Sequence, residues 1–198
     1  MRYKVALCVS CVTLWALGFL SMATAEVTEY QAKGNLETSH DVGCNGFSEL
    51  NSQLTPADLY GGVGKCLQKG DFDNAAQLFS LAGVYATYDK LRVTDATAHQ
   101  AHTVLTRNAM AGASTEDQQK LFKAMSEKLA PGTTQLAETC SKVRAIGAPS
   151  YHPRYMIQHG MGAFTGAQGG DGLKADFNSA SAWEKSLETY LHCPPAQK

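Results

Sequence analysis

The stretch from Thr55 to Tyr88 has only one regular way to bury its apolar side chains. Thr55 offers a hydroxyl N-cap, Pro56 suits the first helical position, and Asp58 stands where a capping box places its acid. Gly70 tolerates the left-handed backbone that stops a helix, and Asp71 can cap the next one. Beyond it Phe72, Ala75, Phe79, Ala82 and Ala86 recur at steps of three and four, one face of a 3.6-residue helix. Alanines between aromatics let two helices approach closely. The expectation is an antiparallel helical hairpin.

The same period continues downstream. A helix is expected from Thr94 or Asp95 to about Met110, with Ala98, Ala101, Leu105 and Ala109 inward. Ser114-Thr115-Glu116-Asp117 reads as a capping-box start for the next, whose apolar face is Leu121, Phe122, Met125 and Leu129. Pro131-Gly132 ends it. Thr133 to Ile146 follows with Leu136, Cys140 and Val143 inward. Asp176 is expected to cap a last helix lined by Phe177, Ala180, Trp183, Leu187 and Tyr190. No window alternates with period two. The fold class is therefore all-α, a compact bundle of about six helices.

The N-terminus bears on compartment. Arg2 and Lys4 precede an apolar run from Val5 to Met22, and Ala23-Thr24-Ala25 has the A-x-A form of a signal-peptidase site. Residues 1–25 are read as a signal peptide, which would carry Cys8 and Cys11 away with it. Residues 26–54 are then a polar, irregular arm, and residues 55–198 the helical domain. Export implies a periplasmic or secreted protein with no stable membrane insertion after cleavage. The removed segment carries two basic residues and no acid, so the formal net charge moves from −1 to −3. Such a chain has no basic stripe, which argues against nucleic acid as a partner.

Cleavage leaves Cys44, Cys66, Cys140 and Cys193. Four cysteines in an exported chain imply two disulfides, with three possible connectivities. The favoured pairing is Cys44–Cys66, stapling the arm to the first helix, with Cys140–Cys193 tying the last helix to a mid-chain one. Zinc is the rival, but the ligands lack paired short spacings.

The least regular segment is Pro149 to Gly172, where six glycines crowd positions 160–172. It lacks the G-K-[ST] ending of a phosphate loop and the alternating acids of a calcium loop. One reading is a mobile surface loop. The other is a binding loop, because Tyr151, Arg154, Tyr155, Met156 and Phe164 belong to residue types enriched at protein interfaces, with Tyr151, Arg154, Tyr155 and Phe164 as the candidate partner-binding residues. His99 and His102 stand three apart on an expected helix, yet no H-E-x-x-H accompanies them. His102 falls in register with Ala98 and Leu105, at the core border. No metal or other cofactor is expected. No nucleophile with its base is recognisable, so no catalytic residue is assigned.

Gly70-Asp71-Phe72, Ala75, Phe79 and Ala82 match the core of tetratricopeptide and Sel1-like repeats, and the hairpin resembles one such unit. Its first helix departs from the pattern at Gly62 and Cys66, and no second copy follows at a period of about 34 residues. The resemblance therefore implies one repeat-like hairpin inside a bundle. Together with the leader and the stretch from Lys65 to Ala82, the chain is similar to periplasmic immunity proteins of type VI secretion effectors, especially those guarding against phospholipase toxins. That similarity implies a non-enzymatic protein that caps a toxin's active site, and it supplies no toxin-contacting residues. The other classes left open are a small periplasmic hydrolase with an unrecognised site and a structural envelope component.

Overall fold

In the computed structural model the described residues are 32–195; the leader, its cysteines, residues 26–31 and residues 196–198 lie outside them. The described chain is all-helical, with one isolated antiparallel bridge between Val93 and Leu173. Its helices are α1 (Pro56–Lys69), α2 (Phe72–Arg92), α3 (Gln100–Met110), α4 (Thr115–Lys128), α5 (Thr134–Ile146), α6 (Arg154–Ile157), α7 (Met161–Thr165) and α8 (Ser179–Ser186). Six of them have eight or more residues, and α6 and α7 are single turns. None is long and apolar enough to cross a membrane.

The hairpin forms as the local chemistry dictates. Thr55 accepts from the Asp58 amide while Asp58 reaches back to the Thr55 amide, closing the capping box. Gly70 takes the left-handed conformation at φ 71° and ends α1, and Asp71 caps α2 through the Asn74 amide. Gly62 stands where a repeat unit has a larger residue because a Cβ there would lie 3.0 Å from the Gly43 carbonyl oxygen. The arm passes that close.

Helix α2 is buried on more than the single stripe expected. Leu78, Leu81, Val84 and Tyr85 are as enclosed as Ala75, Phe79, Ala82 and Ala86. A helix enclosed all round is a central one. α1, α4 and α8 pack around it, and α3 covers α1. On one flank Gly83 makes room for the Tyr190 ring, which lies where a side chain would be.

The arm has only one short 3-10 turn among its described residues, Phe47–Glu49. It is nevertheless packed, with Val42, Phe47, Leu50 and Leu54 in the core. Asp58 holds it as well, accepting from the Ser39 and His40 amides at 2.6 and 2.8 Å. Both favoured disulfides are formed, Cys44–Cys66 and Cys140–Cys193. Their sequence separations are 22 and 53. Replacing Cys140 by serine should cost about 2–4 kcal/mol, and Cys44→Ser somewhat less, because the longer loop loses more chain entropy in the unfolded state. Urea unfolding of each variant against the parent measures this; equal midpoints would contradict it.

Three details differ from the periodicity. Phe122 was expected inward but is 50% exposed. α4 touches the bundle through Leu121, Ala124 and Met125, and Phe122 lies beside that stripe, outside the contact. The last helix is capped by Asn178 instead of Asp176, and Ala182 and Ser186 face inward while Ala180 is exposed. It then widens into a π turn, Leu187–Leu191, which delivers Tyr190 to Gly83 and Cys193 to Cys140. Finally, Asp95 opens a 3-10 turn, Ala96–His99, before α3 begins.

Candidate functional site

Near the C-terminal end of α2, Asp89 and Arg92 sit one turn apart. Asp89 is fully buried, and three hydrogen bonds and one further guanidinium contact surround its carboxylate. Arg92 Nε donates to Oδ1 at 2.8 Å, with Nη2 2.7 Å from the same oxygen. The Tyr151 and Tyr155 hydroxyls donate to Oδ2 at 2.9 and 2.8 Å. The Arg92 guanidinium also lies 5.1 Å from the ring centres of both Tyr88 and Tyr151. Burial pushes the Asp89 carboxyl upward, while Arg92 and the phenols pull it back. Burial likewise pushes both phenols well above their ordinary range.

This cluster corrects the sequence reading of the segment. Tyr155 is only 2% exposed and Tyr151 is half-buried, so their hydroxyls point into the bundle and not toward a partner. Met156 and Ile157 are buried beside them. The physical reason is that a buried carboxylate needs donors, and these two phenols supply them. Asp89 and Arg92 were missed in the sequence. Their signal was an Asp and an Arg at i,i+3 on a helix otherwise enclosed by apolar neighbours.

The segment's outer side is different. Arg154 is exposed, donates to the Lys33 carbonyl at 3.2 Å and lies across Gly34. Phe164 is half-buried, and Met161 is 58% exposed. α7 is fixed from below by the 94–98 turn. Gly162 N donates to Asp95 Oδ2 at 2.9 Å, and Met161 N to Thr97 Oγ1 at 2.8 Å. The glycine-rich stretch is tethered as well. Thr94 N donates to Gly172 O and Lys174 N to Arg92 O, both at 2.9 Å. Between these tethers lies a cavity of about 260 Å³, lined by Val93, Asp95, Ile157, Gly162, Ala167 and Gln168 among others. A larger, more open groove of about 670 Å³ runs between the Phe47–Glu49 turn, α2 and α5.

A third polar group lies where α1, α2 and α3 meet. His102 has its Nε2 2.8 Å from the Tyr60 hydroxyl and its Nδ1 3.1 Å from Lys90 Nζ. An ammonium only donates, so Nδ1 accepts and Nε2 carries the proton toward Tyr60. Burial first, and then the Lys90 charge, push the imidazole down to about 4. His102 thus sits at the core border, as its register with Ala98 and Leu105 suggested. His99 does not join it through any shared ligand, and its Nε2 lies 3.4 Å from the Val93 carbonyl. Among the described residues, no three His, Cys, Asp or Glu side chains gather to hold a metal.

The lowered His102 value carries a stability consequence. The unfolded chain takes up this proton near pH 6.5 and the folded chain only near 4. Stability from this group is therefore complete above about 6.5 and falls as pH drops toward 4, by roughly 3 kcal/mol. His102→Gln should flatten the difference between the two curves over that window, since all other groups titrate alike in both proteins. Denaturant unfolding at pH 7 and pH 4.5 tests it; parallel curves would show that His102 does not govern the slope.

No protein-family model, curated protein or solved structure matches this chain.

Proposed function

We propose that this chain is an exported protein that acts by holding another protein, an immunity protein that caps the catalytic cleft of a secreted antibacterial effector. The observation that carries the reading is the construction of the 149–172 segment. It is anchored from behind by two phenol hydroxyls on Asp89, tethered at both ends, and turns Met161, Arg154 and the exposed Gly166, Gly169 and Gly170 outward. A surface held in one conformation loses little entropy on binding, which is what a tight inhibitor requires. Two disulfides and the A-x-A leader fit a periplasmic setting, where such a partner would be met.

The competing reading is a small hydrolase, and the Lys90–His102–Tyr60 group is its best support. Both imidazole nitrogens are already engaged there, which leaves neither free to take a substrate proton. That speaks for a structural histidine.

The experiment is inhibition of a purified phospholipase-type effector acting on vesicles, with the parent protein, Met161→Glu, Arg154→Glu and His102→Gln. A hot spot costs at least about 2 kcal/mol, roughly thirtyfold in Kd. Loss at Met161 or Arg154 with His102→Gln unaffected is the expected pattern. Hydrolytic activity of the protein itself, abolished by His102→Gln, would replace this reading by the enzymatic one.

A further inference from the structure

A cavity of about 260 Å³ lies under the glycine-rich stretch. Its floor is Val93 and Ile157, both buried, and its walls are largely backbone at Gly162, Gly169 and Gly172. Gly172 is in the left-handed region at φ 79°, and a side chain there would press on Ile157 at 2.9 Å. Gly172 therefore packs directly on Ile157 at one edge of the cavity, with the Gln168 amide beside it. The volume suits one side chain and falls short of a drug-sized ligand, which takes about 300–1,000 Å³.

One wall is charged. Asp95 Oδ1 accepts from the Thr97 amide and hydroxyl at 2.8 and 2.6 Å, and Oδ2 accepts from Gly162 N at 2.9 Å. A carboxylate has about four acceptor positions, and the described residues supply three donors. Those bonds, led by the Thr97 hydroxyl, hold the Asp95 carboxyl below its usual range, so it is anionic at neutral pH. Nearby cations do not neutralise it directly. Lys174 Nζ donates to the Leu91 carbonyl at 2.8 Å, and burial pushes the His99 imidazole down, although Asp95 pulls it back up.

We infer that this cavity receives one basic side chain, lysine or arginine, of the partner protein, its aliphatic stem on Val93 and Ile157 and its cation on Asp95. The inference rests on the reading of this face as a protein-binding surface and names the partner's anchor chemistry. Long basic side chains divide themselves in this way, with the stem on apolar surface and the charge on a polar group. The exposed Met161 beside the cavity would then cover the partner backbone at the point of entry.

The probes are n-butylammonium and n-butylguanidinium, with butyrate and 1-butanol as controls, titrated into the disulfide-bonded mature chain. The readout is the amide resonances of Gly162, Gly169 and Gly172. Both cations should shift these signals saturably, and the controls should not. Asp95→Asn, which keeps an acceptor for Thr97, should weaken the cations about tenfold, while Asp171→Asn should leave them unchanged. Equal binding of 1-butanol would make the cavity merely apolar and overturn the inference; so would no shift with any probe. Should Asp95→Asn disturb the fold, the comparison of cations with controls on the unmodified protein still decides. Absent probe binding with Met161→Glu still losing the effector removes this inference alone. Probe binding with effector inhibition unaffected by Met161→Glu and Arg154→Glu removes the protein-binding reading alone.

Discussion

Asp89→Ala should destabilise the protein by about 3–5 kcal/mol, because it leaves Arg92 without its carboxylate and two buried phenols without an acceptor. The loss reflects the partners stranded by the change more than the worth of the pair itself. Replacing both Asp89 and Arg92 by leucine should therefore cost less than Asp89→Ala alone. The local consequence is as specific as the global one. Tyr151 and Tyr155 are what bind the 149–172 segment to α2, so protease cleavage should appear within that segment well before the bundle unfolds. Urea unfolding and limited proteolysis of the single and double variants supply both readings. A single variant within about 1 kcal/mol of the parent, with the segment still protected, would show that the cluster anchors nothing.

Phe79→Ala should cost a similar amount, about 3–5 kcal/mol, for a different reason. Phe79 is 7% exposed in the middle of α2 and meets the Tyr60 ring edge-on, with centroids 5.3 Å apart and planes at 87°. Truncation removes apolar burial and leaves a cavity between α1 and α2 that close-packed neighbours cannot collapse to fill. Phe122→Ala is the matched comparison: the same residue on α4, half exposed, with an expected change within about 0.5 kcal/mol. Differential unfolding of the two variants isolates burial from residue type. Comparable losses at both positions would contradict the exposure of Phe122 on α4.

Much of the architecture was legible because it is written in short-range chemistry. Thr55 with Asp58, Asp71 with Asn74, Ser114 with Asp117 and Thr133 with Leu136 are contacts between residues three apart. Helix ends of this kind need nothing from the rest of the fold. The Asn178 cap shows the limit of that reasoning. Asp176 offered equally good chemistry, but Phe177 is held edge-on against Tyr88, at 5.2 Å and 89°, and the helix starts after it. Phe122 shows another limit, since periodicity reports an apolar stripe without saying how wide a neighbour will cover it.

The candidate site was less legible. Residue types correctly drew attention to the 149–172 segment, yet two of the four residues chosen as partner anchors face inward. Tyrosine serves an interface and a buried carboxylate equally well, and the choice depends on what lies behind it. Here that is Asp89, 62 and 66 residues away in the chain. The cavity beneath the glycines had no separable signal at all, because it is defined by the spaces that side chains do not fill.

By itself, then, the amino-acid sequence determined the helical class and most helix boundaries, which follow from caps and period, and it favoured the two disulfides whose connectivity the structure shows. Only the tertiary structure decided that α2 is central and that Tyr151 and Tyr155 turn inward. It alone also brought Asp95 beside Val93 and Ile157 in one cavity. Those outcomes depend on which surfaces meet when helices dock, and docking is set by the shape of the whole assembly, which no local pattern records.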